Sequence, residues 1–254
     1  MSAQTKIALV TGGSRGLGKD MAISIAKKGM DVILTYRSNE SEAQNTVHEI
    51  ESLGQQAAAL HLDMSDFDSL DSFVQQVLTK LKSKWNANSF DFLINNAGFG
   101  ATVPFEKVTE ELFNEFLNVH FKGVYFLTQK FVPYINNGGH IINISTGTTR
   151  FSNPGYSVYA SMKGAIEVFT KYLAKELGAK GIRANVVAPG PIETDFNNAT
   201  IRNNPQIKER LSSLSPLNRV GTPNDIGGVV AFLCTEEAAW INAQRIEVSG
   251  GING

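Results

Sequence analysis

Tyr159 and Lys163 stand four residues apart in Tyr159-Ala-Ser-Met-Lys163, and a hydroxyl residue, Thr146, lies thirteen positions upstream (159 − 146 = 13). If that stretch is helical, residues four apart share one face. The lysine ammonium then sits close to the phenol and favours its phenolate. A tyrosine needs such help to act as a general acid or base near neutral pH, because its unperturbed pKa is about 10. In a chain with six tyrosines, Tyr-x-x-x-Lys can also arise by chance, so the pattern gains meaning only from its structural context.

The elements that must position this pair alternate along the chain. Apolar, β-branched runs predict strands at Ile7–Thr11, Val32–Tyr36, Ala57–Leu62, Phe90–Asn95, His140–Ser145, Arg183–Ala188 and Arg245–Val248. Helical patterns fill the gaps at Leu17–Lys28, Glu40–Leu53, Asp66–Lys82, Glu110–Tyr134, Tyr156–Leu177 and Pro223–Cys234. Such alternation specifies an α/β fold, a parallel sheet of βαβ units with helices on both faces. Ile7-Ala8-Leu9-Val10 is apolar throughout, as a strand buried on both faces requires. No linker divides the chain, so a single domain over residues 1–254 is expected. The one stretch without a clear element, Pro189–Pro216, is rich in Pro and Asn. It predicts a substrate lid over about 189–217.

Composition narrows the class. The chain has 254 residues, 42% hydrophobic and 19% charged, with 23 basic and 24 acidic side chains. That is ordinary for a soluble globular protein, and no long basic run supplies a footprint for nucleic acid. The single cysteine, Cys234, excludes an intramolecular disulfide and is expected to be a buried thiol. No apolar stretch reaches membrane-spanning length, and the first strand begins too early to leave room for a signal peptide. A cytoplasmic setting is the expectation.

Thr11-Gly12-Gly13-Ser14-Arg15-Gly16-Leu17-Gly18 joins the first strand to the first helix. Glycines permit a tight turn and close approach of backbone to a pyrophosphate, which a helix N-terminus then stabilises. The spacing Gly-x-x-x-Gly-x-Gly differs from the common dinucleotide fingerprint. Arg15 opens a helix, where a cation is disfavoured unless an anion sits beside it. Arg37 follows the second strand, and Tyr36 occupies the place where NAD-binding sheets present a carboxylate to the ribose. Two guanidiniums and no carboxylate favour a 2′-phosphate, hence NADP(H) over NAD(H).

Taken together, these residues resemble the short-chain dehydrogenase/reductase family, in its branch of about 250 residues. The resemblance runs the length of the chain. It rests on Thr11-Gly12-x3-Gly16-x-Gly18, Asp63 after the third strand, Asn95-Asn96-Ala97-Gly98 after the fourth and Tyr159-x3-Lys163. Pro189-Gly190 after the sixth strand and Ser249-Gly250-Gly251 complete it. It implies a Rossmann-like, doubly wound sheet of seven parallel strands in the order 3-2-1-4-5-6-7, and usually a homotetramer. By the same resemblance, Gly12, Ser14, Arg15, Gly16, Leu17 and Gly18 surround the pyrophosphate, and Asp63 and Met64 lie at the adenine. Asn95, Ala97 and Gly98 approach the ribose, with Asn95 also binding the central sheet. Pro189, Gly190, Ile192 and Thr194 hold the nicotinamide end. Tyr159 exchanges a proton with the substrate oxygen, Lys163 lowers the tyrosine pKa and binds the ribose, and Thr146 hydrogen-bonds the substrate.

Two positions depart from the family pattern. The family's asparagine in Asn-Leu-x-Gly-Val aligns with His120 in Asn118-Val119-His120-Phe121-Lys122-Gly123-Val124. That asparagine stabilises a kinked helix and a proton path. An imidazole there can hold the kink, join the relay or simply pack. His120 is taken as a catalytic candidate, and His120→Asn is expected to retain most activity but change the pH–rate profile; an unaltered profile would reduce His120 to structure. Thr146 replaces the family's serine, keeping the hydroxyl and adding a methyl that stiffens χ1. Ser145 beside it is the alternative donor.

The expected function is NADP(H)-dependent hydride transfer between nicotinamide and a ketone or aldehyde, or a secondary alcohol in reverse. A non-catalytic NADP(H)-binding scaffold or redox sensor is the alternative, disfavoured by the intact Tyr159 and Lys163. A 3-oxoacyl-[acyl-carrier-protein] reductase is a specific possibility, weakened by Asn136-Asn137-Gly138-Gly139 where such enzymes often carry basic residues. Phe99, Thr148, Phe151, Asn153, Tyr156 and the 196–217 segment are pocket candidates, with Arg150 and Arg202 available to an acidic group. The expected partner is a small carbonyl or alcohol substrate.

Overall fold

The computed structural model describes residues 5–252. Seven strands, β1 (Ile7–Val10), β2 (Asp31–Tyr36), β3 (Ala57–His61), β4 (Phe90–Asn95), β5 (Ile135–Ile144), β6 (Arg183–Pro189) and β7 (Arg245–Val248), form one sheet. Its order is β3-β2-β1-β4-β5-β6-β7 and every pairing is parallel, as the resemblance implied. Strand side chains alternate between two cores. Ile7 and Leu9 join the core beneath α3 (Leu70–Trp85), α5 (Gly123–Phe131) and α6 (Ser157–Leu177). Ala8 and Val10 join the core beneath α1 (Gly16–Ala26), α2 (Glu40–Ser52) and α9 (Pro223–Leu233). Burial on both faces is why these strands carry no polar alternation.

Strand order reverses between β1 and β4, which opens a crevice at the carboxyl edge of the sheet. Val10 pairs with Leu34 on one side and Ile94 on the other, so β2 and β4 run only two and one residues past the end of β1. The register therefore brings the glycine loop, Tyr36 and Asn95 to one edge.

Several elements depart from expectation. The predicted Glu110–Tyr134 helix is three pieces: α4 (Glu110–Leu117), a π-helical turn at Asn118–Lys122, and α5. A 3₁₀ turn, Val132–Tyr134, closes it at Pro133, whose missing N–H cannot extend the ladder. β5 begins at Ile135 rather than His140, and its register shifts opposite Phe90 and Phe92. Gly138 sits in the left-handed region there (φ 82°), so the Asn-Asn-Gly-Gly run resembles a turn while belonging to a bulged strand. α3 starts at Leu70, after a turn in which Asp66 accepts from the Ser69 amide, and it ends at left-handed Asn86. The 189–217 segment is not featureless. It contains α7 (Phe196–Asn203), a stretch broken by left-handed backbone at Asn197, Asn198 and Ala199 (φ 54°, 58° and 54°), and α8 (Pro205–Ser213), the latter capped by Asn204 with Pro205 first in the helix.

No described helix is long and apolar enough to cross a membrane. The domain expected over 1–254 reaches at both ends beyond the described residues.

Candidate active site

The loop between β1 and α1 is sewn to both neighbouring strands. The buried Thr11 hydroxyl donates to the Ile94 carbonyl (3.3 Å) and accepts from the amides of Asn96 and Ala97, each at 3.0 Å. Asn96 Nδ2 donates to the carbonyls of Thr11 (2.9 Å) and Gly12 (3.1 Å). On the other side, the amides of Gly12 and Gly13 donate to the hydroxyl (3.0 Å) and carbonyl (2.8 Å) of Thr35. A Cβ at Gly18 would lie 2.0 Å from the Gly12 carbonyl oxygen, so only glycine lets α1 start this close to the loop. Arg15 occupies the N-cap of α1 without capping it, and the first turn holds no acidic residue. The first amides and positive dipole end of α1 are therefore presented to an anion, which suits a pyrophosphate. The Ser14 carbonyl accepts from Thr46 (3.3 Å), and Leu17 packs on the α1/α9 core.

Along the edge, Arg37 Nε lies 3.2 Å from Asp63 Oδ2, with the arginine side chain 62% exposed. Burial works against the Asp63 carboxylate, but hydrogen bonds from Ser65 and the Arg37 charge hold its pKa below the usual range. Two residues expected at the cofactor turn inward. The Met64 side chain lies in the core. Asn95, only 3% exposed, donates through Nδ2 to Thr128 Oγ1 (3.0 Å) and Asn143 Oδ1 (2.8 Å). Asn95 thus joins β4 to β5 and α5, and the Asn96 side chain is turned to the glycine loop.

Tyr159 and Lys163 lie one turn apart on α6, beside the end of β5. Lys163 is 4% exposed, donates to the Ile144 carbonyl (2.8 Å) and sits 5.8 Å from the Tyr159 ring centroid. Burial lowers its pKa to about 8. The Tyr159 pKa moves the other way. Burial raises it, a hydrogen bond with Thr146 opposes the rise, and Tyr156 adds to it. Desolvation thus outweighs the depression that the lysine spacing predicts. The residue as a whole keeps partial solvent access, so it is the environment of the hydroxyl that governs.

Thr146 faces this phenol. Its hydroxyl oxygen accepts from the Thr148 amide (3.3 Å) and hydroxyl (3.2 Å), which leaves its own proton to donate. Ser145 is buried and donates instead to Glu167 (2.6 Å), so it is not the hydroxyl directed at Tyr159.

His120 lies in the π-helical turn, 1% exposed, and its Nε2 accepts from the Phe99 amide (3.4 Å). The ring stacks on Phe116 (centroids 5.3 Å) and meets Tyr159 edge-on (5.2 Å). Burial, then the charge of Lys163, holds its pKa well below 6.5. A neutral imidazole that anchors the turn is what the geometry contains.

The far wall comes from β6 and the segment after it. Pro189 ends β6, and the Gly190 amide donates to Val248 (3.0 Å). Ile192 bridges to Gly221, and Thr194 Oγ1 accepts from the Phe196 amide (3.2 Å). Thr194 stands across from the glycine loop, its Cβ 3.9 Å from where a Cβ on Gly16 would be. The Phe196 ring lies over Tyr159 (5.8 Å), and Asn197 donates to Thr102 (2.9 Å) and the Tyr156 hydroxyl (3.0 Å). The two arginines expected to be available are engaged: Arg150 with Glu247 (3.1 Å) and Arg202 with Asp195. Sequence reasoning assigned no role to Thr35, Asn96, Glu167 or Arg245. Asn96 had a signal, its place in Asn-Asn-Ala-Gly; the others had none.

A family model described as enoyl-(acyl carrier protein) reductase matches residues 12–253. The chain belongs to the short-chain dehydrogenase/reductase family. It is an oxidoreductase built for hydride transfer. A hydroxynaphthalene reductase-like protein, Arp2 of Metarhizium robertsii, is 34% identical over 257 residues, covering 97% of this chain and 94% of the relative. The solved structure of LugOII, a promiscuous reductase catalysing keto-reduction at C1 during lugdunomycin biosynthesis, superposes with a TM-score of 0.93 at 35% identity. It covers 99% of both chains. The angucycline C-6 ketoreductase LanV, solved with bound NADP, gives 0.93 at 34% identity, covering 99% of this chain and 97% of its own.

Proposed function

We propose that this chain is an NADP(H)-dependent ketoreductase that acts on a carbonyl carried by a fused, planar ring system. The observation that carries the reading is Tyr159 one helical turn from Lys163 and close to Thr146, within aromatic walls. Two O–H donors meeting at one point suit the oxygen of a carbonyl, where negative charge develops during reduction. Conjugate reduction of an enoyl group also places charge on a carbonyl oxygen, so the choice of keto- over enoyl-reduction rests on the keto-reductions named for its relatives.

Gly12 and Ser14–Gly18 would hold the pyrophosphate, Arg15 and Arg37 the 2′-phosphate, and Asp63 the adenine. Ala97 and Gly98 would approach the ribose, with Pro189, Gly190, Ile192 and Thr194 at the nicotinamide. When bound, NADPH supplies the hydride. Thr146 donates to the substrate oxygen and orients it. Tyr159, kept protonated by its raised pKa, transfers its proton to that oxygen. Lys163 stabilises the phenolate left behind. His120 acts by holding the turn against Phe99.

Phe99, Phe116, Tyr156 and Phe196 gather around Tyr159 and His120, with Phe116 and Phe196 centroids 6.2 and 5.8 Å from the tyrosine ring. Flat aromatic faces suit a flat aromatic substrate, in keeping with the naphthalene and angucycline compounds named for its relatives. The reading includes one domain over 1–254, a lid at 189–217 and a cytoplasmic homotetramer. Exposed Tyr125, Phe126, Val168 and Tyr172 on α5 and α6 supply apolar contacts for that assembly.

The test is loss of NADPH absorbance with 2-tetralone, an aliphatic ketone and an acetoacetyl thioester. The bicyclic ketone is expected to turn over fastest, and Tyr159→Phe to lose about 100-fold or more in kcat while still binding NADPH. Faster turnover of the thioester would favour the acyl-carrier-protein substrate. No turnover of any carbonyl would overturn the reading.

A further inference from the structure

We propose that Arg245 and Glu167 are positioning residues that aim the Thr146 hydroxyl; this rests on the reading of Thr146 as the substrate-orienting donor. Neither residue touches the phenol of Tyr159. Both grip the short segment that carries Thr146, which leaves β5 and makes a 3₁₀ turn at Gly147–Thr149.

Glu167 lies one helical turn beyond Lys163 on α6, on the same face. Its Oε1 accepts from Ser145 Oγ (2.6 Å), Thr149 Oγ1 (2.7 Å) and Arg245 Nε (2.9 Å). Residues before and after Thr146 are thus tied to one carboxylate oxygen. Arg245, on β7, closes the clamp from the other side. Its NH2 donates to the Thr146 carbonyl and to Thr149 Oγ1, both at 3.1 Å, and its NH1 to Glu247 Oε2 at 2.9 Å. Every guanidinium nitrogen has a partner. Glu247 is shared with Arg150 (3.1 Å) and Ser249 (3.1 Å), which anchors the arginine in turn.

Threonine makes this clamp consequential. A β-branched side chain has few χ1 choices, so the direction of its hydroxyl follows the direction of its backbone. Thr146 Oγ1 already accepts from Thr148, and its remaining proton points wherever the segment is turned. Donors to a developing oxyanion act only within a few tenths of an ångström of the right place. Stability alone is a weak reason for such a cluster, since Arg245 and Glu167 are only 22% and 17% exposed. Ion pairs at that depth lose in desolvation much of what they gain in attraction. Fixing the geometry of the Thr146 segment accounts for it.

A double-mutant cycle tests this, with kcat and KM for 2-tetralone, Kd for NADPH and Tm measured on the full chain. Arg245→Met is expected to lower kcat about tenfold. KM and the NADPH Kd should stay within about twofold. In a Thr146→Val background the same substitution should cost less than about twofold in kcat, while its effect on Tm is equal in both backgrounds. Glu167→Gln, which keeps the shape and removes the charge, should follow the same pattern if Arg245→Met folds poorly. Equal kcat losses in both backgrounds, or no loss with Thr146 present, would overturn the proposal. If Thr146→Val alone leaves kcat unchanged, the assignment of Thr146 fails first, a result distinct from either of these.

Discussion

The imidazole of His120 meets the ring of Tyr159 edge-on, with centroids 5.2 Å apart. Phe116 stacks on its face, and Phe99 supplies the N–H that its Nε2 accepts. The family's asparagine position is thus filled by a residue that is buried, neutral and bound to the neighbouring loop. Its other nitrogen, Nδ1, is buried without a partner.

His120→Asn should therefore keep kcat within about tenfold, because an amide oxygen can accept from Phe99 as Nε2 does. The pH–rate profile should overlay that of the wild type between about pH 6 and 9, since the histidine is held uncharged well below that range. This reverses the altered profile expected from the sequence, because burial keeps the imidazole uncharged. A shifted limb in the variant would restore the relay. Gly98 sharpens the test, for a Cβ there would lie 2.6 Å from His120 Cε1. Gly98→Ala should lower activity, and His120→Asn should rescue it by vacating that space.

Cofactor choice should depend on Arg37. Its pairing with Asp63 is largely exposed, so the guanidinium can turn to a 2′-phosphate at little cost. Arg37→Ala should reduce kcat/KM for NADPH by about tenfold or more and leave NADH nearly unchanged. Equal losses with both cofactors would remove Arg37 from 2′-phosphate recognition.

Acid sensitivity should come from two buried histidines. His140 is fully buried, with Nδ1 2.9 Å from the Leu233 carbonyl oxygen and Nε2 2.8 Å from Asn185. Burial, then the charge of Arg183, lowers its pKa to about 3. His120 is lowered too. A histidine whose folded pKa lies below its unfolded value binds fewer protons when folded, so stability is full above about pH 6.5 and falls as pH drops toward the folded pKa. Each group adds a slope of about 1.4 kcal/mol per pH unit within that window. Denaturant unfolding from pH 7 to pH 5 should show it, and His140→Gln should flatten it. An equally steep slope in that variant would place the sensitivity elsewhere.

Local chemistry made much of this protein legible. Ile7-Ala8-Leu9-Val10 announces a strand buried on both faces, and Gly12, Gly16 and Gly18 after it announce a tight strand-to-helix loop, because periodicity and missing side chains are properties of neighbours in the chain. Where local signals conflicted, legibility ended. Asn136–Gly139 has turn residues inside a bulged strand, and polar composition hides both α8 and the broken α7, with its left-handed residues Asn197, Asn198 and Ala199.

Adjacent candidates separate only once the chain is folded. Ser145 and Thr146 are equivalent as hydroxyls, yet alternation at the end of β5 turns one to Glu167 and the other to Tyr159. Asn95 and Asn96 divide in the same way, one into the sheet and one to the glycine loop. Burial could not be read from spacing either, and it sets the net shift of Tyr159 against the lysine four residues on. The partnership of Glu167 with Arg245 spans 78 residues and exists because α6 and β7 meet beneath the Thr146 turn. Residue types and their order along the chain are enough to name the fold and the candidate reactive groups it carries. Their directions and ionisation depend on which distant chain segments desolvate and hydrogen-bond them, and those contacts form only when the sheet is assembled.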